Sequence, residues 1–300
     1  MVMHLPSHVS VIEVAPRDGF QVESTPISTA LKVDTINALT AAGFRQIQVT
    51  SFVHPKWVPQ MADAEEVCWS IQQHPDVTYS ALALNPRGVE RAQAAGIKTV
   101  DLSISVSETH SKKNANVAVS DAMKNLKVMV DLARLAKMEA RVGLQCVFGC
   151  AYEGPISERR VLDLAEEIVS WGIDMFFVAD TTGMANPLQV KQLLGQLQPL
   201  LRDVPVILHL HDTRGAGLAN MVAALECGVT HFDTALGGLG GCPFVPGAAG
   251  NLATEDALNL LHAMGIETGI DIAQAARHSC RLEEVLGRRL PGKMYRLAGR

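Results

Sequence analysis

The chain has 300 residues, a formal net charge of −5, 48% hydrophobic residues and 19% charged residues. That is ample for a packed core and too weakly charged for a disordered chain. With no basic block and no apolar run of roughly 18 residues, nucleic acid and membrane are excluded as expected partners. The start, "MVMHLPSHVS", has neither the basic opening nor the apolar run of a signal peptide. The cysteines at 68, 146, 150, 227, 242 and 280 follow no disulfide-framework spacing. Both features lead us to expect a cytoplasmic protein.

Eight short apolar runs with β-branched residues follow along the chain: "VSVIEVAP" (9–16), "FRQIQVTS" (44–51), "VTYSALAL" (77–84), "TVDLSISV" (99–106), "ARVGLQCVF" (140–148), "IDMFFVADT" (173–181), "VPVILHLHD" (204–212) and "THFDTALG" (230–237). Helical patterns separate them, among them "STALKVDTINALTAAG", "VSDAMKNLKVMVDLARLAK" and "SERRVLDLAEEIVSWG". Many begin near Ser, Asp or Pro and end in Gly, as helix caps do. Eight strand–helix alternations predict α/β architecture with a parallel sheet closed into a (β/α)8 TIM barrel. We expect one catalytic domain over residues 1–300. Residues from about 256 onward should form extra C-terminal helices packed on the barrel, with a basic end, "KMYRLAGR", free to fray.

Active sites of such barrels lie at the C-terminal ends of the strands. Those ends are polar here. The first run leads into Arg17 and Asp18, and the second sets Gln46, Gln48 and Thr50 on one face by strict alternation. The fourth does the same with Asp101, Ser103 and Ser105. The sixth ends in Asp180, and the seventh in His209 and His211, which share a face. Polar groups in a barrel interior cost energy unless paired, so a site at the mouth is the simplest account. His-x-His at a strand end could be two inert core histidines, but as a pair it points to metal ligation. With Asp18 and a neutral oxygen it makes a mixed N/O donor set that accepts Mg²⁺, Mn²⁺ or Zn²⁺.

"APRDGF" (15–20) is either a turn or a mount for an anion-binding guanidinium at Arg17. "ALGGLGGCPFVPGAAGNLATED" (235–256) is either a flexible loop or a lid, and it carries Cys242, a candidate acid or nucleophile.

Taken together, "VIEVAPRDGFQVE", "TSFVHPKWVPQMADAEEV", "KKNAN", "GCAYEGPIS", "DTTG", "HLHDTRGAGLAN" and "GGLGGCPFVPGAAGNLATED" resemble the 3-hydroxy-3-methylglutaryl-CoA lyase family of metal-dependent TIM-barrel enzymes. The resemblance implies metal-dependent retro-Claisen cleavage of a 3-hydroxy-3-methylglutaryl-CoA-type thioester to acetyl-CoA and acetoacetate. It implies Asp18, His209, His211 and Asn251 as metal ligands, with Mg²⁺ or Mn²⁺ the expected ion. Arg17 would stabilise the enolate, and Cys242 would protonate the departing carbon. Asp180 takes a polar active-site position, with Asp180 or His209 the candidate base. Gln21, Gln48, Asn114 and Glu255 fall at positions implied to contact the substrate or its coenzyme A, together with Arg17. The expected partner is an acyl-CoA substrate, and the expected assembly is a homodimer or higher homo-oligomer.

Two residues depart from the family pattern. Gln48 stands where a Glu is usual, and Arg214 where an aromatic residue is usual. They make a different 3-hydroxyacyl-CoA, citramalyl-CoA-like or longer-branched, the main alternative substrate. A synthase running in the condensation direction would be expected to add regulatory domains, and nothing follows residue 300. A non-enzymatic metal or acyl-CoA binder is the remaining alternative.

Overall fold

The structure is a computed structural model, described here for residues 5–241 and 250–299. Eight parallel strands close into a barrel in chain order: β1 (Ser10–Glu13), β2 (Gln46–Ser51), β3 (Thr78–Ala83), β4 (Thr99–Ser105), β5 (Glu139–Gln145), β6 (Met175–Asp180), β7 (Val206–Leu210) and β8 (His231–Thr234). Closure is made by β1 on β8, in register from Ser10 opposite His231 to Glu13 opposite Thr234. All eight expected strands are present.

The helices that follow are α1 (Thr29–Ala41), α2 (Ala64–Ser70), α3 (Pro86–Ala94), α4 (Glu108–Ala115), α5 (Val119–Leu135), α6 (Glu158–Ser170), α7 (Pro187–Leu201), α8 (Gly217–Glu226), α9 (Thr254–Ala263), α10 (Ile272–Leu286) and α11 (Tyr295–Ala298). Most of the large helices turn an apolar stripe to the barrel. In α6 that stripe is Val161, Ala165 and Ile168. Helix starts follow the cap chemistry: Ser28 accepts from Leu31 N–H, and Asn186 with Gln189 forms a capping box ahead of Pro187. No helix among the described residues is long and apolar enough to cross a membrane.

Two local departures shape the site. The first strand stops at Glu13 and gives way to a π-helical turn over Ala15–Gly19. Pro16 has no N–H for a ladder, and Val14 O collects the N–H groups of Arg17, Asp18 and Gly19. In β2 the register slips between Gln48 and Thr50, which breaks strict alternation; Thr50 donates to Met61 Sδ instead of sharing Gln48's surroundings. Inside the barrel, Gly143 of β5 leaves the space that Phe177 of β6 fills, since a Cβ there would lie 2.1 Å from Phe177 O.

The C-terminal helices pack back on the barrel. The tail is anchored rather than frayed: Tyr295 is fully buried and its hydroxyl donates to Glu283.

Candidate metal and active site

The paired histidines that close β7 turn inward together. His209 Nε2 and His211 Nε2 lie 3.1 Å apart, and Asp18 Oδ2 is 4.0 Å from His211 Nε2. One donor atom from each of Asp18, His209 and His211 falls within 4.8 Å of the others, and all three residues are buried. His209 Nδ1 meets Asp233 Oδ2 of β8 at 2.9 Å. With Nδ1 protonated toward that carboxylate, Nε2 keeps its lone pair for the cluster. Burial, reinforced by the neighbouring His209, pushes His211 down to about 3, so its ring is neutral and free to ligate.

Asn251 completes the cluster. Its Nδ2 donates to Asp18 Oδ2 at 2.8 Å and to Leu239 O at 3.0 Å, while its buried Oδ1 has no hydrogen-bond partner among the described residues. Gly240 allows this approach: its φ is +117°, and a Cβ there would sit 2.4 Å from Asn251 Nδ2. A carboxylate oxygen, two imidazole nitrogens and an orphaned amide oxygen fit a hard to borderline divalent cation.

Asp18 is held from several sides. Gln21 Nε2 donates to its Oδ1 at 3.0 Å, and the Arg17 guanidinium pairs with the same oxygen. Burial alone would raise the Asp18 carboxyl, but the Arg17 guanidinium beside it and the Asn251 amide donor help hold it below the usual carboxylate range. Arg17 Nε donates in turn to Gln48 Oε1. Below Arg17 lies a chamber of about 50 Å³ in the barrel interior, walled by Gln48, Asp101, Ser103, Gln145 and Asp233. The polar faces expected for the second and fourth strands therefore contribute Gln48, Asp101 and Ser103 to one place.

Asp180, at the end of β6, is almost fully buried. Its oxygens accept from Met184 N–H at 2.8 Å and Ala185 N–H at 3.1 Å. Burial pushes its carboxyl up to about 6 against those two donors. Arg214 NH1 is pinned on Thr182 O at 2.7 Å and Gly183 O at 2.8 Å, which sets a guanidinium on the rim beside Asp180.

Two expected contact residues sit apart from the ion cluster. Glu255 is fully buried, with one oxygen accepting from Gly237 N–H at 2.8 Å and the other from Ser279 Oγ. It ties α9 to the turn after β8 and to α10. Asn114 lies exposed near the end of α4, in the connection after β4 and so on the mouth side of the barrel. Cys242 lies outside the described residues.

Sequence reasoning missed Asp233, Glu13 and Arg141. Each is a charged residue inside an apolar strand run, which is the signal that could have found them. Glu13 Oε1 accepts from Ala15 N–H and Leu236 N–H, both at 2.9 Å, and Oε2 from Thr254 Oγ1 at 2.6 Å. It thus ties the turn carrying Arg17 and Asp18 to the loop carrying Asn251.

Comparison with known proteins identifies the family. The chain matches the HMGL-like family over residues 8–280. A hydroxymethylglutaryl-CoA lyase of Bacillus subtilis is 42% identical over 291 residues, 97% of each chain. A mitochondrial hydroxymethylglutaryl-CoA lyase of Macaca fascicularis is 39% identical, over 97% of this chain and 89% of that one. An HMG-CoA lyase of Acinetobacter baumannii, solved with coenzyme A and 3-methylmalate, superposes with a TM-score of 0.93 at 41% identity, covering 98% of this chain and 96% of that one. The chain belongs to the HMGL-like family.

Proposed function

We propose that the protein is a carbon–carbon lyase that cleaves a 3-hydroxy-3-methylglutaryl-CoA-type thioester to acetyl-CoA and a keto acid, acetoacetate for that substrate. The observation that carries this reading is the buried Asp18–His209–His211 cluster with Arg17 paired to Asp18, in a chain of this family.

Asp18, His209, His211 and Asn251 would hold the divalent cation, Mg²⁺ or Mn²⁺, which when bound lowers the pKa of the substrate hydroxyl and orients it. Both ring nitrogens of His209 are committed, Nδ1 to Asp233 and Nε2 to the cluster. We take Asp180 rather than His209 as the base, a choice supported by a carboxyl that burial pushes up to about 6 and that could take the hydroxyl proton at neutral pH. As the C2–C3 bond breaks, its electron pair moves toward the thioester oxygen. Arg17 meets that charge with a guanidinium already fixed on Gln48 and Asp18, so little reorganisation is needed. Cys242 would return a proton to the acetyl carbon. Asn114, on the mouth side, would meet coenzyme A. Gln21 and Glu255 support the site by holding Asp18 and Gly237. The compartment we propose is the cytoplasm, and the assembly a homodimer or higher homo-oligomer.

The test is product formation. Chelated protein should form no acetyl-CoA from 3-hydroxy-3-methylglutaryl-CoA, and added Mg²⁺ or Mn²⁺ should restore it. No turnover on any CoA ester in a panel would defeat the assignment. A second reading, cleavage of a citramalyl-CoA-like ester, is favoured by Gln48 at the chamber wall and by Arg214 fixed on the rim. A higher kcat/KM for that ester in the same panel would establish it.

A further inference from the structure

The guanidinium of Arg17 is held on its outer side by Asp18 and on its inner side by Gln48. Gln48 is itself held. Its Nε2 donates to Asp101 Oδ2 at 2.6 Å, and both side chains are buried. An amide presents a donor on one side and an acceptor on the other, and either orientation is open to it until its neighbours choose. Here they choose without ambiguity. Arg17 only donates, so Oε1 must face it, and Nε2 is then left facing Asp101 Oδ2, which accepts from it. The amide that grips Arg17 is thus anchored from β4, on the far side of β3 from β2.

We infer that Asp101 is a positioning residue for the reaction: it locks the Gln48 amide so that Gln48 aims the Arg17 guanidinium at the reacting oxygen. The inference rests on the reading of Arg17 as the group that meets the developing charge. Arg17 needs such a hold because it sits on a π-helical turn, outside the strand ladder. It is also long and rotamer-rich, and a small misplacement of a charge-stabilising group costs rate. The rival role for Asp101 is electrostatic housekeeping. Burial raises its carboxyl, and the nearby Arg141 is the main influence holding it down. Asp101 could then serve only to neutralise Arg141, whose Nε has no hydrogen-bond partner among the described residues.

The two roles separate under substitution. Asp101→Asn removes the charge facing Arg141 but still offers an amide oxygen to Gln48 Nε2. Asp101→Ala removes both. Positioning predicts a kcat close to wild type for Asp101→Asn. It predicts a kcat lower by about ten- to a hundredfold for Asp101→Ala, with KM and metal affinity unchanged. Neutralisation alone predicts that both variants lose thermal stability alike, with kcat of the folded protein intact.

A cycle guards against a variant that fails to fold. Gln48→Glu sets two carboxylates at the 2.6 Å now spanned by a hydrogen bond, and it should cut kcat sharply. Adding Asp101→Asn supplies an amide donor to the new carboxylate and should recover most of that loss. Strictly additive effects in this cycle would overturn the inference. Arg17→Gln is measured in parallel. If it abolishes turnover while the Asp101 variants leave kcat untouched, the positioning role alone is wrong. If Arg17→Gln itself leaves kcat unchanged, the reading of Arg17 falls first and takes the positioning role with it.

Discussion

His209 Nδ1 lies 2.9 Å from Asp233 Oδ2, so a carboxylate on β8 fixes the ring that β7 presents to the ion cluster. The contact sets the tautomer, leaving Nε2 unprotonated, and it sets the ring plane as well. Removing such a partner usually costs about 10–100-fold in metal affinity. Asp233→Ala should therefore bind Mn²⁺ or Mg²⁺ that much more weakly in a chelator competition, while His209→Ala should lose the ion almost completely. Equal affinity in Asp233→Ala and wild type would show that His209 is oriented by other contacts.

Arg17 pairs with Asp18 and donates to Gln48, so two protein partners fix its geometry. If its charge is used only when negative charge develops, Arg17→Gln should lower kcat by roughly a hundredfold and leave KM nearly unchanged. Arg17→Lys should rescue poorly, because an ammonium lacks the planar fork that spans two acceptors. A rise in KM alone would move Arg17 from charge stabilisation to substrate binding.

Asp180 gives a pH dependence. Burial raises its carboxyl to about 6, and the reaction needs it ionised. kcat/KM should therefore rise with pH through about 6 and level off above it, since the base is consumed by protonation on the acid side. Asp180→Asn should lose most turnover and with it that acid limb. An unchanged limb in the residual activity of Asp180→Asn would assign the titration to another group.

The barrel was legible because its signal is periodic. Runs such as "VPVILHLHD" and "TVDLSISV" carry alternation, and the helices between them carry caps. The ion cluster was legible for the same reason, since His209 and His211 share a face by spacing alone. What the sequence hid depends on cross-strand register. Asp233 acquires its role only because β8 lies beside β7 with Asp233 opposite His209. The Gln48–Asp101 contact depends on which side chains of β2 and β4 turn into the barrel, across the intervening β3. The slip in β2 that separates Thr50 from Gln48 is likewise invisible to strict alternation. Gln21 and Glu255 were expected to contact the substrate, yet Gln21 Nε2 is spent on Asp18 and both Glu255 oxygens on the protein's own frame.

Glu13 supplies a test of that frame. Its carboxyl accepts two backbone N–H groups and the Thr254 hydroxyl, yet complete burial pushes it from 4.5 up to about 8. Between those values the folded chain holds a proton that the unfolded chain has released. Stability contributed by this group is then fully present below pH 4.5 and declines as pH rises toward 8. Glu13→Gln keeps an oxygen for Ala15 and Leu236 N–H and places an amide donor against Thr254 Oγ1, whose own proton can turn to Thr234 Oγ1 at 2.7 Å. Relative to wild type, the Tm of Glu13→Gln should therefore climb as pH is raised from 5 to 9, across the window these values define. Glu13→Ala should be destabilised at every pH, because two buried N–H groups lose their acceptor at about 1–3 kcal/mol each. Parallel Tm–pH curves for wild type and Glu13→Gln would mean that the three donors keep Glu13 ionised, and that its hold on the Arg17 turn is a charged one.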